Sequence, residues 1–243
     1  VGLVLKDMPL VPPIYVLCNP QYEVARYNFL LSHFEKRGIP LDRVKFIHGP
    51  WGSELKPADI LPFWQPFKER FGNKTALSFK ADNLSKGELS LLLGFRRLIE
   101  QALVDGSDTI LVFESDIVLR EDFLTRLEIV LKGVSGSEWA DWDYVSLGEG
   151  VGTRPKGCEW RSYFAEVALY QPDHQFVFRC CDSMLLRRKF LEKLAVTFGP
   201  VRECLDWELN LQMMVHRGKS VWVDPPLCEP ASGRNRTATS LPS

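Results

Sequence analysis

The chain has 243 residues, enough to bury a full hydrophobic core as a single α/β domain over residues 1–243. Apolar residues make up 45% and charged residues 25%, the ordinary globular mixture. The 30 basic and 31 acidic residues leave a net charge of -1, so no basic surplus points to nucleic acid, and no run of about 18 apolar residues is present to span a bilayer.

Residues 1–13 read as a lead-in that ends in Pro12-Pro13. Ile14-Tyr-Val-Leu-Cys18 is a short apolar run, predicted as a buried strand, and Asn19-Pro20 breaks it. Residues 23–37 have helical spacing, with Tyr27, Leu30, Leu31 and Phe34 on one face; Gly38-Ile-Pro40 stops that helix. Residues 44–48 predict a second strand, and Gly49-Pro-Trp-Gly52 turns out of it. Strand, helix, strand is the seed of a doubly wound, mostly parallel sheet. Residues 53–83 carry prolines at 57, 62 and 66 among several aromatics; so long a connection either covers a site or packs a short helix under the sheet.

Ser85-Lys-Gly-Glu88 is a capping box, with serine capping the helix start and glutamate reaching back. Leu89, Leu92, Leu93, Arg96, Ile99 and Leu103 follow at helical spacing, and Gly106 closes the helix. Thr109-Ile-Leu-Val-Phe113 is a continuous apolar run, the mark of a strand covered on both faces. Glu114-Ser-Asp116 follows at once. A helix is expected over 121–132, a strand over 144–147, and a strand over 176–180 leading into Met184-Leu-Leu186. Helices are expected near 189–197 and 206–217, and a last strand over 221–223 before Pro225-Pro226. The tail from 231 is polar and holds Arg234 and Arg236.

Six cysteines without a C-x-x-C pair argue against a structural zinc site. The adjacent Cys180-Cys181 fit either an apolar strand or pairing with distant partners. Sequons at Asn73, Asn83 and Asn235, together with the cysteines, lean toward a secretory compartment.

Glu114 and Asp116 stand at the carboxyl end of the 109–113 strand, where open α/β sheets bind their ligands. Two carboxylates one residue apart repel unless a cation joins them, and a hard divalent ion on such oxygens can also hold a diphosphate. Solvation of a strand end by the same acids, or capping of the helix around Glu121, is the plainer account. Asp206-Trp-Glu208 follows a Gly-Pro turn at a predicted helix start, so either acid is a candidate proton acceptor or a helix cap. Asp182 is the runner-up base. His216 is a candidate third metal ligand or a structural histidine. Arg234 and Arg236 could close over a diphosphate or simply be solvated, and Trp139, Trp142, Trp160 and Trp207 could stack on sugar rings or pack in the core.

Leu84-Ser-Lys-Gly-Glu-Leu, Ile110-Leu-Val-Phe-Glu-Ser-Asp116 and Phe123 with Leu127 resemble glycosyltransferase family 25, the lipooligosaccharide and procollagen galactosyltransferase group. That family shows an L-S-x-G-E-[IL] helix start, an L-V-[FL]-E-D-D strand end and a downstream F-x-x-x-L. Ile14-Tyr-Val-Leu-Cys-Asn19, Arg26, Asp143-Tyr-Val-Ser-Leu-Gly148 and Ser183-Met-Leu-Leu-Arg-Arg188 extend the resemblance over most of the chain. Ser115 replaces the central aspartate of the acidic triplet, and the second arginine of the opening motif is not evident. The resemblance implies a GT-A-like nucleotide-sugar-binding domain, manganese or magnesium, and transfer with inversion. The donor would be a UDP-sugar, galactose first and glucose second, and the acceptor a hydroxyl of a glycan or glycoprotein. On that reading residues 14–148 form the donor half and 149–243 the acceptor half. Asn19, Arg26, Glu88, Glu114 and Ser115 are then expected at the donor, with Arg234 and Arg236, and Glu114, Asp116 and His216 at the metal. A catalytically silent, glycan-binding or chaperone-like relative is the alternative that the broken triplet raises.

Overall fold

The computed structural model describes residues 11–65, 84–148, 165–172 and 180–231. Its centre is a seven-stranded sheet in the order β2-β1-β3-β7-β5-β8-β6. The strands are β1 (Ile14–Leu17), β2 (Val44–Ile47), β3 (Thr109–Glu114), β5 (Tyr144–Ser146), β6 (Ala168–Tyr170), β7 (Ser183–Arg187) and β8 (Ser220–Asp224). β2, β1 and β3 run parallel; β7 enters antiparallel between β3 and β5; β8 lies parallel to β5, and β6 closes the edge antiparallel. Five strands therefore point one way and two the other. β4 (Ile117–Leu119) and β9 (Cys228–Pro230) form a separate antiparallel pair.

Helices cover both faces, as the doubly wound expectation required. Alternation along the strands sends Tyr15, Leu17, Ile110 and Val112 to one face. There they meet α3 (Lys86–Asp105), α5 (Arg188–Thr197) and α6 (Leu205–Val215) through Leu92, Phe95, Phe190 and Leu209. Ile14, Val16, Leu111 and Phe113 point the other way, onto Leu30 and Phe34 of α1 (Val24–Lys36) and Phe123 and Leu127 of α4 (Phe123–Val134). Strands from both sides of residue 148 share this one sheet, because β7 lies between β3 and β5.

Local chemistry sets the element ends. The Ser85 hydroxyl accepts from the Glu88 backbone, the Glu88 carboxylate accepts from the Ser85 backbone, and Gly106 ends α3 in the left-handed region at φ 77. The connection after β2 holds one short helix, α2 (Pro57–Ile60), before the described residues pause at 65. The strand predicted at 176–180 falls almost entirely outside the described residues, and the strand that joins the sheet is β7. The three sequon asparagines, Asn73, Asn83 and Asn235, and Trp160, Arg234 and Arg236 lie outside them too. All the described cysteines are free thiols. Among the described residues no helix is long and apolar enough to cross a membrane.

Candidate active site

The chain leaves β1 for α1 and β2 on one side and reaches β3 on the other, so the carboxyl ends of β1 and β3 flank a topological switch point. A cleft of about 580 Å³ opens there, within the usual range for a small-molecule site. Asn19 from the end of β1, Arg26 from α1, and Glu114, Ser115 and Asp116 from the end of β3 all line it. So does Lys86, in the first turn of α3.

Glu114 is half-buried at this rim, and its acidity is the strongest electrostatic signal in the site. Burial, then the charges of Asp116, Asp182 and Asp206, push its pKa up to about 8, while Arg26 opposes the shift. Four carboxylates thus bear on one place. They arrive from three directions: the end of β3, the residue that precedes β7, and the first turn of α6. The antiparallel entry of β7 brings Asp182 here, and its backbone carbonyl accepts from the Glu114 N–H at 3.1 Å. A Cβ on Gly148 would lie 2.2 Å from an Asp182 carboxylate oxygen, so only glycine lets Asp182 occupy this place.

Ser115 has its own use. Its hydroxyl donates to Glu23 at 2.7 Å and accepts from Arg26 at 2.9 Å. The other Glu23 oxygen accepts from the Asn19 backbone at 2.8 Å. An aspartate at 115 would face the Glu23 carboxylate at hydrogen-bonding distance. The serine is therefore matched to Glu23, a cleft residue that the sequence reading did not single out. Only the position of Glu23 at the start of the helix expected over 23–37 hinted at it.

Three expected site residues are placed elsewhere. Glu88 is spent on the α3 cap, bonded to the Ser85 N–H at 2.7 Å, and does not line the cleft. His216 ends α6, about 15 Å along the helix from Asp206, and pairs with the Thr197 hydroxyl at 2.7 Å. It is therefore no partner of Glu114 and Asp116. Glu208 is fully buried and accepts from the Arg202 N–H at 2.9 Å and the Gln212 amide at 3.0 Å, a structural role inside the fold. Asp206 is not the helix cap, since Cys204 holds that position; its carboxylate accepts from the Trp207 N–H at 2.9 Å and from the Cys204 thiol. It remains partly exposed beside the acidic cluster.

Among the described residues no group of three His, Cys, Asp or Glu side chains is placed to hold a metal ion. Glu114 and Asp116 still suit a hard divalent cation in their donor chemistry. Magnesium-like ions commonly take one or two protein carboxylates and complete their shell with water and substrate phosphates. The mutual repulsion that raises Glu114 is what such an ion would relieve. No protein-family model and no curated protein matches the chain.

Proposed function

We propose that the chain is a metal-dependent, inverting glycosyltransferase that moves a hexose, galactose first, from a UDP-sugar to a hydroxyl of a glycan or glycoprotein. The observation that carries this reading is the cleft at the β1/β3 switch point with the Glu114–Asp116 pair on its rim and Arg26 beside it. The resemblance to glycosyltransferase family 25 falls on these same residues. A nucleotide enzyme with a glycine-rich phosphate loop is disfavoured, because β1 ends in Cys18-Asn-Pro-Gln.

In this reading Glu114 and Asp116 would hold manganese or magnesium, which when bound would supply charge neutralisation to the departing diphosphate. Arg26, 45% exposed in its side chain, adds a guanidinium on the same side. The acceptor oxygen bonds to the anomeric carbon as the bond to the diphosphate oxygen breaks. Asp206 takes the acceptor proton, being the partly exposed carboxylate that α6 brings near Glu114. Asp182, 1% exposed behind Gly148, positions the rim.

Thermal denaturation with UDP and manganese tests the reading. Ligand at a hundred times its dissociation constant adds about 2.7 kcal/mol, or about 5–10 °C for a domain of this size. Asp116→Asn is expected to lose the part that depends on manganese. Absence of any shift with nucleoside diphosphates and metal would replace the transferase reading with that of a silent, glycan-binding relative.

A further inference from the structure

The cleft has two walls. One carries Glu23, Arg26, Glu114 and Asp116; the other, between β2 and α3, carries Ile47, Leu91 and Trp51 together with His48 and Lys86. Among the described residues, Trp51 is the only Phe, Tyr or Trp that lines the cleft. Its place follows from two glycines. A Cβ on Gly49 would sit 2.2 Å from the Ser90 carbonyl oxygen, and one on Gly52 would sit 3.2 Å from Lys86. The turn between them, which carries Trp51, therefore packs closely against the first turns of α3.

The indole is also held rigidly. Tyr22, from the turn before α1, stacks on it with ring centroids 4.9 Å apart and planes 6° from parallel. A single carboxylate, Glu54, accepts from the Tyr22 hydroxyl and from the Trp51 backbone N–H at 3.1 Å. Glu54 in turn donates its own N–H to the Trp51 carbonyl at 2.8 Å. Neither ring belongs to the two hydrophobic clusters of the core. Trp51 lines the cleft and Tyr22 does not. Stacked on Tyr22, carried on a backbone tied to the carboxylate that also holds the Tyr22 hydroxyl, and outside the core, the indole is preorganised for a flat partner, which lowers the ordering cost of binding one.

We propose that Trp51 is the platform on which the base of a bound nucleoside diphosphate stacks, with the diphosphate extending across the cleft toward Glu114 and Asp116. The proposal rests on the donor-binding reading above and adds the orientation of the nucleotide within it. A base lies flat against an aromatic ring whatever its hydrogen-bonding edge, so Trp51 supplies affinity. The distance from indole to rim is then spanned by ribose and phosphates, past Arg26.

Calorimetric titration of UDP and of inorganic pyrophosphate, each with manganese, into the wild type, Trp51→Ala and Trp51→Phe tests it. UDP is expected to bind roughly 10- to 100-fold more weakly to Trp51→Ala and within a few-fold of wild type to Trp51→Phe. Pyrophosphate is expected to bind all three alike. UDP should also quench tryptophan emission in the wild type and not in Trp51→Phe, a readout that stands if the alanine variant fails to fold. Equal UDP affinity in Trp51→Ala, or parallel weakening of UDP and pyrophosphate, overturns the platform and leaves donor binding in place. A wild type that does not bind UDP, whether or not it binds pyrophosphate, overturns the donor reading and the platform with it.

Discussion

Asp206 and Glu208 stand two residues apart on one helix and have opposite chemistry. Glu208 is fully buried, and its carboxylate satisfies the Arg202 N–H and the Gln212 amide. Removing it leaves buried donors without an acceptor, at about 1–3 kcal/mol. Glu208→Ala is thus expected to lower the melting temperature by several degrees and to leave UDP binding per folded molecule unchanged. Asp206→Asn should do the reverse: transfer falls by about 10²–10⁴-fold while melting temperature and UDP–manganese affinity hold, measured by steady-state rates beside calorimetry. Asp206→Asn at wild-type rate would move the base to another residue. The sequence put both acids at a helix start, which is a local pattern. It could not tell them apart, because the separation depends on which way each faces within the packed fold. Glu23 and Trp51 were hidden for the same reason: neither carries a local signature, and each acquires its role from a neighbour, Ser115 or Tyr22, that folding brings near.

Between elements, the closest approach that shapes the cleft is that of the β2 turn to α3. A Cβ on Gly94 would lie 2.8 Å from the Gly49 nitrogen, and rigid backbone on both sides leaves little room to yield. Gly94→Ala is expected to destabilise by about 1–3 kcal/mol through overpacking. It should also weaken UDP binding several-fold, because the turn that carries Trp51 is pushed from α3. Calorimetry and denaturant melts on the same variant check both effects, and unchanged affinity with a wild-type midpoint would show the turn to be free of α3. Elements with strong local grammar were legible: the Ser85 box, the Gly106 stop and the apolar run of β3. β4 and β9 were not, since three-residue strands pair Ile117 with Pro230 across more than a hundred residues of chain. For β7, the apolar Met184-Leu-Leu186 announced a strand and said nothing of its direction. That direction carries Asp182 to Glu114.

At the scale of the whole molecule, two buried groups tilt stability with pH in opposite senses. His33 sits between α1 and β4, where its Nε2 accepts the Leu119 N–H at 2.8 Å and Arg37 donates to the Leu119 carbonyl at 3.1 Å. Burial, with the charges of Arg37 and Lys36, lowers its pKa from 6.5 to about 4. The unfolded chain takes up this proton first as pH falls, so the His33 contribution is intact above about 6.5 and is lost progressively down to about 4. Glu114 behaves conversely. Its pKa, raised from 4.5 to about 8, makes a contribution that is fully present below 4.5 and lost as pH rises to about 8. Between 4.5 and 6.5 the two slopes oppose, and these groups together give a plateau that falls away on either side. His33→Gln keeps a side-chain acceptor for Leu119 and removes the titration. Denaturant midpoints from pH 4 to 8 should then decline from about 4.5 upward, with the acid-side loss abolished. Glu114→Gln should do the opposite, rising to about 6.5 and staying level. Manganese should reproduce the Glu114→Gln profile in the wild-type protein, since a bound cation favours the ionised carboxylate. An alkaline decline that survives saturating manganese and persists in Glu114→Gln would place its source outside the β3 rim.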